Sequence, residues 1–456
     1  MAAENITLTD SQGLSRLEKI KADLKPVAFG RTGKIWVWVL CLLCLIGLVA
    51  YVKQLRDGLG VTGMRDFTSW GIYVSNFVFF VAISLVGSLI SAVLKLSNVA
   101  WRTPLTRISE IIAFASILFA SLIIIVDMGR PERILNIFSH GRIQSPIVWD
   151  VIVIMTYMAI SVLLLYLPLV PDIKLYQGKG NLDKKWHVRL FKFLGLKWKF
   201  SKDQLKIVKK SIHSLAILIV PVALTIHTVT SWLFATTYRS GWDSTNFGAY
   251  FVSGAFLLGA GGVIVAMFIL RRQYNLKEYI TDLHFDRMGK LMVMLAMVYL
   301  YFSVNEYFVP GYKMKKVEGE HIEALFTGKY SLMFWMVQIF GLFLPILVLL
   351  FKKGRRPKIL FLISISVIVA AWFKRFLIVI PTLIHPFFPI QDVPDSWKFY
   401  TPTWEEWAIT IGSLAGALLV ISFLVRIFPI IPAWEIAEEE GISPETMLKA
   451  SHENEN

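Results

Sequence analysis

Residues 107–157 read RISEIIAFASILFASLIIIVDMGRPERILNIFSHGRIQSPIVWDVIVIMTY. Two apolar runs, each long enough to cross a bilayer as a helix, flank a polar turn. Asp127, Arg130, Glu132, Arg133, His140, Arg142 and Asp150 crowd into that turn or its edges. Gly129 and Pro131 stop the first helix, and Ser145-Pro146 starts the second with Asp150 in its opening turns. Ionisable groups held against a hydrocarbon boundary are costly unless they are paired or used. The hairpin therefore points to an all-α, polytopic membrane fold with chemistry at one end.

Working outward, the same pattern recurs. Of 456 residues, 55% are hydrophobic and 17% charged, which excludes an ordinary soluble domain. Apolar windows at 35–55, 71–94, 105–127, 148–170, 211–236, 248–270, 287–309, 330–351, 358–381 and 405–428 predict ten spanning helices. No cleaved leader is expected, because the first run follows 34 polar residues and no small-x-small site comes directly after it.

The net charge of +15 reports topology rather than a nucleic-acid partner. With a cytoplasmic N-terminus, Lys and Arg divide 33 to 12 in favour of the cytoplasmic segments, Lys374 and Arg375 lying within a helix. Both termini are then expected inside, and the 107–157 turn outside. In a Gram-negative cell that face is the periplasm, so the expected location is the bacterial inner membrane.

Trp70-Gly71-Ile72-Tyr73 opens the second span and Phe247-Gly248-Ala249-Tyr250 opens the sixth, and the same offset carries Lys95 onto Arg272. This suggests a parallel duplication. The expected divisions are an N-terminal arm (1–34, with a short amphipathic helix at 14–24), a peripheral first span (35–60), a first four-helix bundle (61–236) and a second (237–381). An outer loop with the tenth span (382–428) and a cytoplasmic tail (429–456) complete the chain. The basic aromatic loop 171–210 inside the first bundle is expected to lie on the anionic leaflet. Cys41 and Cys44 read as small packing residues, and two thiols cannot hold an iron–sulfur cluster.

Semi-buried groups agree on one side. Asp127, Arg130, His140, Asp150, His227, Arg239, Asp243, Glu306, Lys374 and Arg375 come from different helices and all fall in the outer third. A quinol gives up two protons with its two electrons, so its pocket needs an acceptor at each hydroxyl. A histidine and a carboxylate suit that task, and nearby cations stabilise a quinolate. His140, Asp150, Asp127 and Arg130 are the catalytic candidates. His227, Arg239, Asp243, Arg375 and Trp149 are candidates for holding the ring. Glu110, Glu306, Tyr307 and Lys374 are candidates for a proton path, and no metal site is expected. Plainer readings stand beside these: Glu110 paired with Arg107 or a neighbouring helix, Asp150 compensating a helix dipole, and Lys374 with Arg375 snorkelling as an anchor.

The run Asp127-Met-Gly129-Arg130-Pro131-Glu132-Arg133, with Ser145-Pro146-x-x-Trp149-Asp150, resembles the membrane subunits of the NrfD/PsrC (polysulfide reductase) family. His227-Thr-Val-Thr-Ser231-Trp232, Gly241-Trp242-Asp243, Glu306-Tyr307-Phe308, Trp372-Phe-Lys374-Arg375 and Tyr400-Thr-Pro402-Thr-Trp404 are similar to its ten-helix branch, which includes ActC of alternative complex III. The likeness covers about residues 60–430. It implies a subunit without haem or iron–sulfur cluster that binds quinol, with menaquinol the expected species, near the outer face. It further implies an iron–sulfur subunit docked over that face, with cytochrome or molybdopterin-type subunits beyond it and proton translocation within the bundles. By the same likeness His140 and Asp150 belong to the quinol pocket, with Asp127 and Arg130 nearby. Asp127 and Asp243 stand where the family often has His, and Lys374 where it often has Glu, which bears on whether the proton route is the usual one.

Other classes fit less well. A haem anchor needs axial histidines on different helices, yet His213 and His227 share one. A secondary transporter should carry its charges near the midplane on interrupted helices. A purely structural membrane anchor leaves the charge cluster without a use.

Overall fold

The computed structural model describes residues 10–26, 29–97, 99, 101–177, 185–195, 198–388 and 391–452. Among them the regular elements are helical throughout. The arm holds α1 (Asp10–Leu24), and the first span is α2 (Arg31–Asp57). Then come α3 (Ile72–Leu96), α4 (Thr103–Asp127), the short α5 (Asn136–His140), α6 (Pro146–Tyr166), α7 (Leu169–Leu175) and α8 (Lys185–Leu194). The long α9 (Lys202–Ala235) leads to α10 (Phe247–Gln273), α11 (Asp282–Lys313), α12 (Lys316–Phe326) and α13 (Ser331–Gln338). A π-helical stretch, Ile339–Phe343, joins α13 to α14 (Leu344–Leu349). The chain ends with α15 (Pro357–Ile384), α16 (Trp404–Ile427), α17 (Ala433–Glu439) and α18 (Pro444–His452).

Ten of these stretches are long and apolar enough to span a membrane, α6 with α7 and α13 with α14 each counting as one. The chain is thus an integral, multi-pass, all-α protein. Side chains such as Trp38, Leu42, Leu347, Leu362 and Val369 stand exposed on the spans. In water that would be a liability, and in lipid it is the expected outer coat. The most enclosed span is α3, which packs on α4, α9, α10 and α15. Around it α6 lies on α9 and α4, while α10 lies on α11 and α15. The two helices that share the Gly-x-Tyr opening, α3 and α10, therefore touch each other at the centre.

The first span, α2, packs on α16 and is otherwise largely exposed. Gly47 and Gly412 let the two backbones meet, since a Cβ on Gly47 would come within 2.9 Å of Ala408 O and 3.0 Å of Gly412 Cα. Small residues at such crossings are the usual route to close packing in membranes. Cys44 lies there too, its Sγ 3.6 Å from Gly412 O, whereas Cys41 is exposed.

The first helix and the last two fold onto one end of the spans, here the proximal end. α1 packs on α17 and α18, and Arg16 donates to both carboxylate oxygens of Glu440 at 2.6 and 2.7 Å. Beneath them Arg107, fully buried, pairs with Asp172 at 2.5 Å and donates to Pro168 O and Pro429 O. Asp172 also accepts from the Trp434 backbone N–H at 2.9 Å. α7 ends the fourth span here, and the basic loop after it contributes α8, whose His187 hydrogen-bonds Ile427 O.

Candidate functional site

Because successive spans alternate in direction, the C-terminal ends of α4, α9, α11 and α15 meet the N-terminal ends of α3, α6, α10 and α16 at the opposite, distal end. Hydrogen bonds tie that end together. Gln54 of α2 donates to Val126 O and accepts from Tyr73 OH, and Tyr400 OH bonds Glu406 and receives the Ile72 N–H.

Asp127 closes α4 within electrostatic reach of Glu406, and its Oδ1 is buried with no partner among the described residues. The chain then reverses through Gly129, whose φ of +65° L side chains rarely adopt and whose Cβ would strike Leu59 at 2.7 Å. Arg130 follows, exposed, and His140 is exposed at the end of α5 with Nδ1 2.8 Å from Ser139 Oγ. Trp149 is half-buried and donates its indole N–H to Ile143 O, pinning the loop to the start of α6.

One turn deeper on α6, Asp150 is 3% exposed and accepts from Thr230 Oγ1 of α9 at 2.7 Å. Three residues before Thr230, His227 is 0% exposed, with both ring nitrogens unpartnered among the described residues. Its ring rests against Phe251 at 5.8 Å, and Arg375 is its charged neighbour. Asp150 thus does more than compensate a dipole: its carboxylate is buried across a helix interface and bonded to Thr230, three residues along α9 from His227.

A second cluster lies on α10, α11 and α15. Glu306 accepts from Ser244 Oγ at 2.8 Å and Asn246 Nδ2 at 3.0 Å. Lys374 donates to Tyr307 OH at 2.5 Å and sits over the rings of Tyr250, Tyr307 and Phe334. Lys374 and Arg375 are 2% and 4% exposed, which goes against the plainer reading of them as snorkelling anchors. They line a cavity together with residues of α10 and α13, the helices on which α15 packs. Arg239, in the loop after α9, is half-buried, and that burial lowers its affinity for the proton. Asp243 is exposed.

Glu110 belongs to neither cluster. It lies near the proximal end, accepting from Ser91 Oγ at 2.7 Å and Lys95 Nζ at 2.8 Å. Its partner is the neighbouring helix, while Arg107 is committed to Asp172.

The structure adds residues that sequence reading passed over. A cavity of about 450 Å³, counting its open mouth, is bounded by α10, α11, α12 and α15 beside Glu306 and Tyr307. Ser240, Glu318 and His321 line it, each with a buried polar atom lacking a partner among the described residues. His321 is pushed down to about 4 by burial and, second, by His385. Glu318 and His321 are three apart on an 11-residue helix; that spacing is visible in the sequence, but nothing there brings α12 back over the spans. Among the described residues no group of three or more His, Cys, Asp or Glu could hold a metal ion.

Sequence comparison adds relatives to this geometry. The chain is 28% identical to a putative membrane subunit of dimethyl sulfoxide reductase from Halobacterium salinarum, covering 88% of this chain and 93% of the relative. It is 24% identical to the menaquinone reductase integral membrane subunit of Nitratidesulfovibrio vulgaris, covering 91% and 96%. It is 22% identical to the Hdr-like menaquinol oxidoreductase integral membrane subunit of Archaeoglobus fulgidus, covering 88% and 94%. A family model described as polysulphide reductase, NrfD, matches residues 60–386, from the turn before α3 to the end of α15, and to that family the chain belongs.

Proposed function

We propose that this chain is the quinone-reactive membrane subunit of a multi-subunit oxidoreductase, taking electrons from menaquinol near the distal end and handing them to a partner. Relatives named for menaquinone and menaquinol chemistry along nearly their whole length support the substrate class. The observation that carries the placement is the α6–α9 contact, where Thr230 donates to the buried Asp150 and, three residues earlier on α9, His227 is buried with both ring nitrogens unpartnered among the described residues. A buried imidazole with two free nitrogens has lost its water and gained nothing in return, a cost of a few kcal/mol unless a ligand completes it.

In this reading one quinol hydroxyl donates to His227 and the other lies toward Asp150, so each proton has a base within reach as the electrons depart. Asp127 at the end of α4, with Trp149 and Arg375, borders the ring. His140, Arg130, Arg239 and Asp243 form the polar rim over which an iron–sulfur subunit docks, with cytochrome or molybdopterin-type subunits behind it. Glu306, Tyr307 and Lys374 make up a connected polar path at the same end, and Glu110 with Lys95 a separate one at the other. The packing of α3, α4, α6 and α9 on one side, and α10, α11, α13–α14 and α15 on the other, supports the two-bundle, ten-helix arrangement of the ActC branch. The charge asymmetry supports cytoplasmic termini and a distal end facing outward.

The test is quinol-driven electron transfer in the purified complex, with menadiol as donor. Asp150→Asn and His227→Leu are each expected to lower turnover at least tenfold while the amount of chain in the membrane is unchanged. Wild-type turnover in both variants would remove the site from this contact.

A further inference from the structure

Arg375, placed above at the border of the quinol ring, and Lys374 raise a charge-balance problem that a neutral quinol does not answer. Both are buried, and a guanidinium stays charged in any protein environment. Neither makes an ion pair among the described residues. The buried carboxylate near them is Glu306, which acts electrostatically on Lys374 and is hydrogen-bonded to Ser244 and Asn246. One carboxylate against two cations leaves a positive charge within the spans, where an uncompensated charge costs several kcal/mol.

A cavity lies directly against the two cations. It is lined by Gly254, Tyr299, Gln338, Gly341, Lys374 and Arg375, among other residues, and encloses about 310 Å³ counting its mouth. The interior has room for roughly one or two water-sized particles, too little for a quinone ring. Its polar lining is rich in donors. Arg375 Nε and Gln338 Nε2 are buried with no acceptor among the described residues, and Lys374, whose ammonium already donates to Tyr307 OH, and Tyr299 complete the polar lining. Lys374 and Arg375 donate only, and Gln338 presents its unpartnered amide nitrogen.

The backbone is built around the same space. The π-helical stretch Ile339–Phe343 begins immediately after Gln338 and contains Gly341, whose Cβ would lie 2.7 Å from Ala370 Cβ. A π-bulge inserts a residue into a helix and re-aims the side chains around it, and such bulges concentrate at functional sites. Here it brings α13 close to α15 while Gln338 lines the cavity.

We propose that this cavity binds a small monovalent anion of chloride size, held by Arg375, Gln338 and Lys374 as the missing counter-charge of the α15 cations. Donors without acceptors, an excess positive charge and water-sized room together select an acceptor-only ion. A cation is repelled, and a bulky oxyanion does not fit.

The experiment uses the whole purified protein, with any subunits that copurify, exchanged into sodium gluconate and titrated with sodium chloride or bromide at constant ionic strength. The readouts are the thermal midpoint and the fluorescence of Trp335 and Trp372 on the helices flanking the cavity. The wild type is expected to show a saturable rise in midpoint of several degrees with either halide. Gln338→Leu should raise the half-saturating halide concentration at least tenfold, and Arg375→Leu should abolish the response. Should Arg375→Leu fail to accumulate, Gln338→Leu alone decides, because it removes one donor and leaves both charges. Equal midpoints in gluconate and halide, or a halide response unchanged in Gln338→Leu, would overturn the proposal and leave water in the cavity.

Discussion

The two ends of the helices treat buried charge in opposite ways. At the proximal end Arg107 meets Asp172, and Lys95 meets Glu110, with backbone carbonyls and a serine filling further positions. At the distal end Asp150, His227 and Arg375 are buried and Asp127 has a buried Oδ1, yet none of the four has a countercharge within ion-pair distance among the described residues; Glu405, paired with Lys53 at 2.6 Å, is the exception there. Pairing makes a buried charge tolerable and inert, so a paired group is structural. A group kept buried and unpaired makes the protein less stable than it could be, and such sacrifices cluster at functional sites. Glu435 of α17 marks the limit of the contrast: it is buried at the proximal end beside Lys95 and Arg107, and burial pushes its carboxyl up.

The largest expected effect tests the structural half of that comparison. Arg107→Met leaves Asp172 buried without its cation, a change that typically costs about 3–5 kcal/mol. The chain should be depleted from membranes, as immunoblotting of the membrane fraction would register. Normal abundance would mean that the Trp434 N–H and the helix ends hold Asp172 unaided.

A smaller effect concerns His321 at the distal cavity. Its folded pKa of about 4 lies below the 6.5 of an unfolded histidine, so between those values the unfolded chain binds more protons. Stability is therefore full above about pH 6.5, falls as the pH drops toward 4 and then levels, by at most on the order of 3 kcal/mol. Thermal midpoints at pH 7 and pH 5 should differ more for the wild type than for His321→Gln. Equal differences would show that the imidazole is solvated and that the α12 lid is open.

Much of this was legible in the residues. Ten apolar runs gave ten spans because hydrocarbon thickness leaves a helix little freedom in length, and Gly129, Pro131 and Pro146 marked the distal turn because backbone geometry does. The alternation of spans then put Asp150, His227, Glu306 and Lys374 at one end without any structure. Side-chain direction was not legible. Lys374 and Arg375 could have faced lipid or protein at the same depth, and only the packing of α15 on α10 and α13 decides. Partners across helices were equally hidden: Glu110 was open to Arg107 or to an unnamed neighbouring helix, and the fold gives it Lys95 while Arg107 goes to Asp172. The α12 cavity was missed altogether, since an 11-residue helix between two spans carries no signal of what it folds back to cover.

The smallest expected effect separates a paired charge at the surface from a paired charge in the core. Arg16 and Glu440 make a two-pronged contact with good geometry, but each is about a third exposed, so solvent screens the pair and its worth is about 1 kcal/mol or less. Arg16→Ala should leave the chain inserted and active, and should increase only the rate at which protease nicks the segment between α16 and α17, because α1 no longer clamps the tail. The same substitution in a background carrying Glu440→Ala should add nothing further, since the contact is already gone. A loss of membrane insertion comparable to that of Arg107→Met would show that the surface clamp, and not the buried Arg107–Asp172 pair, holds the proximal end together.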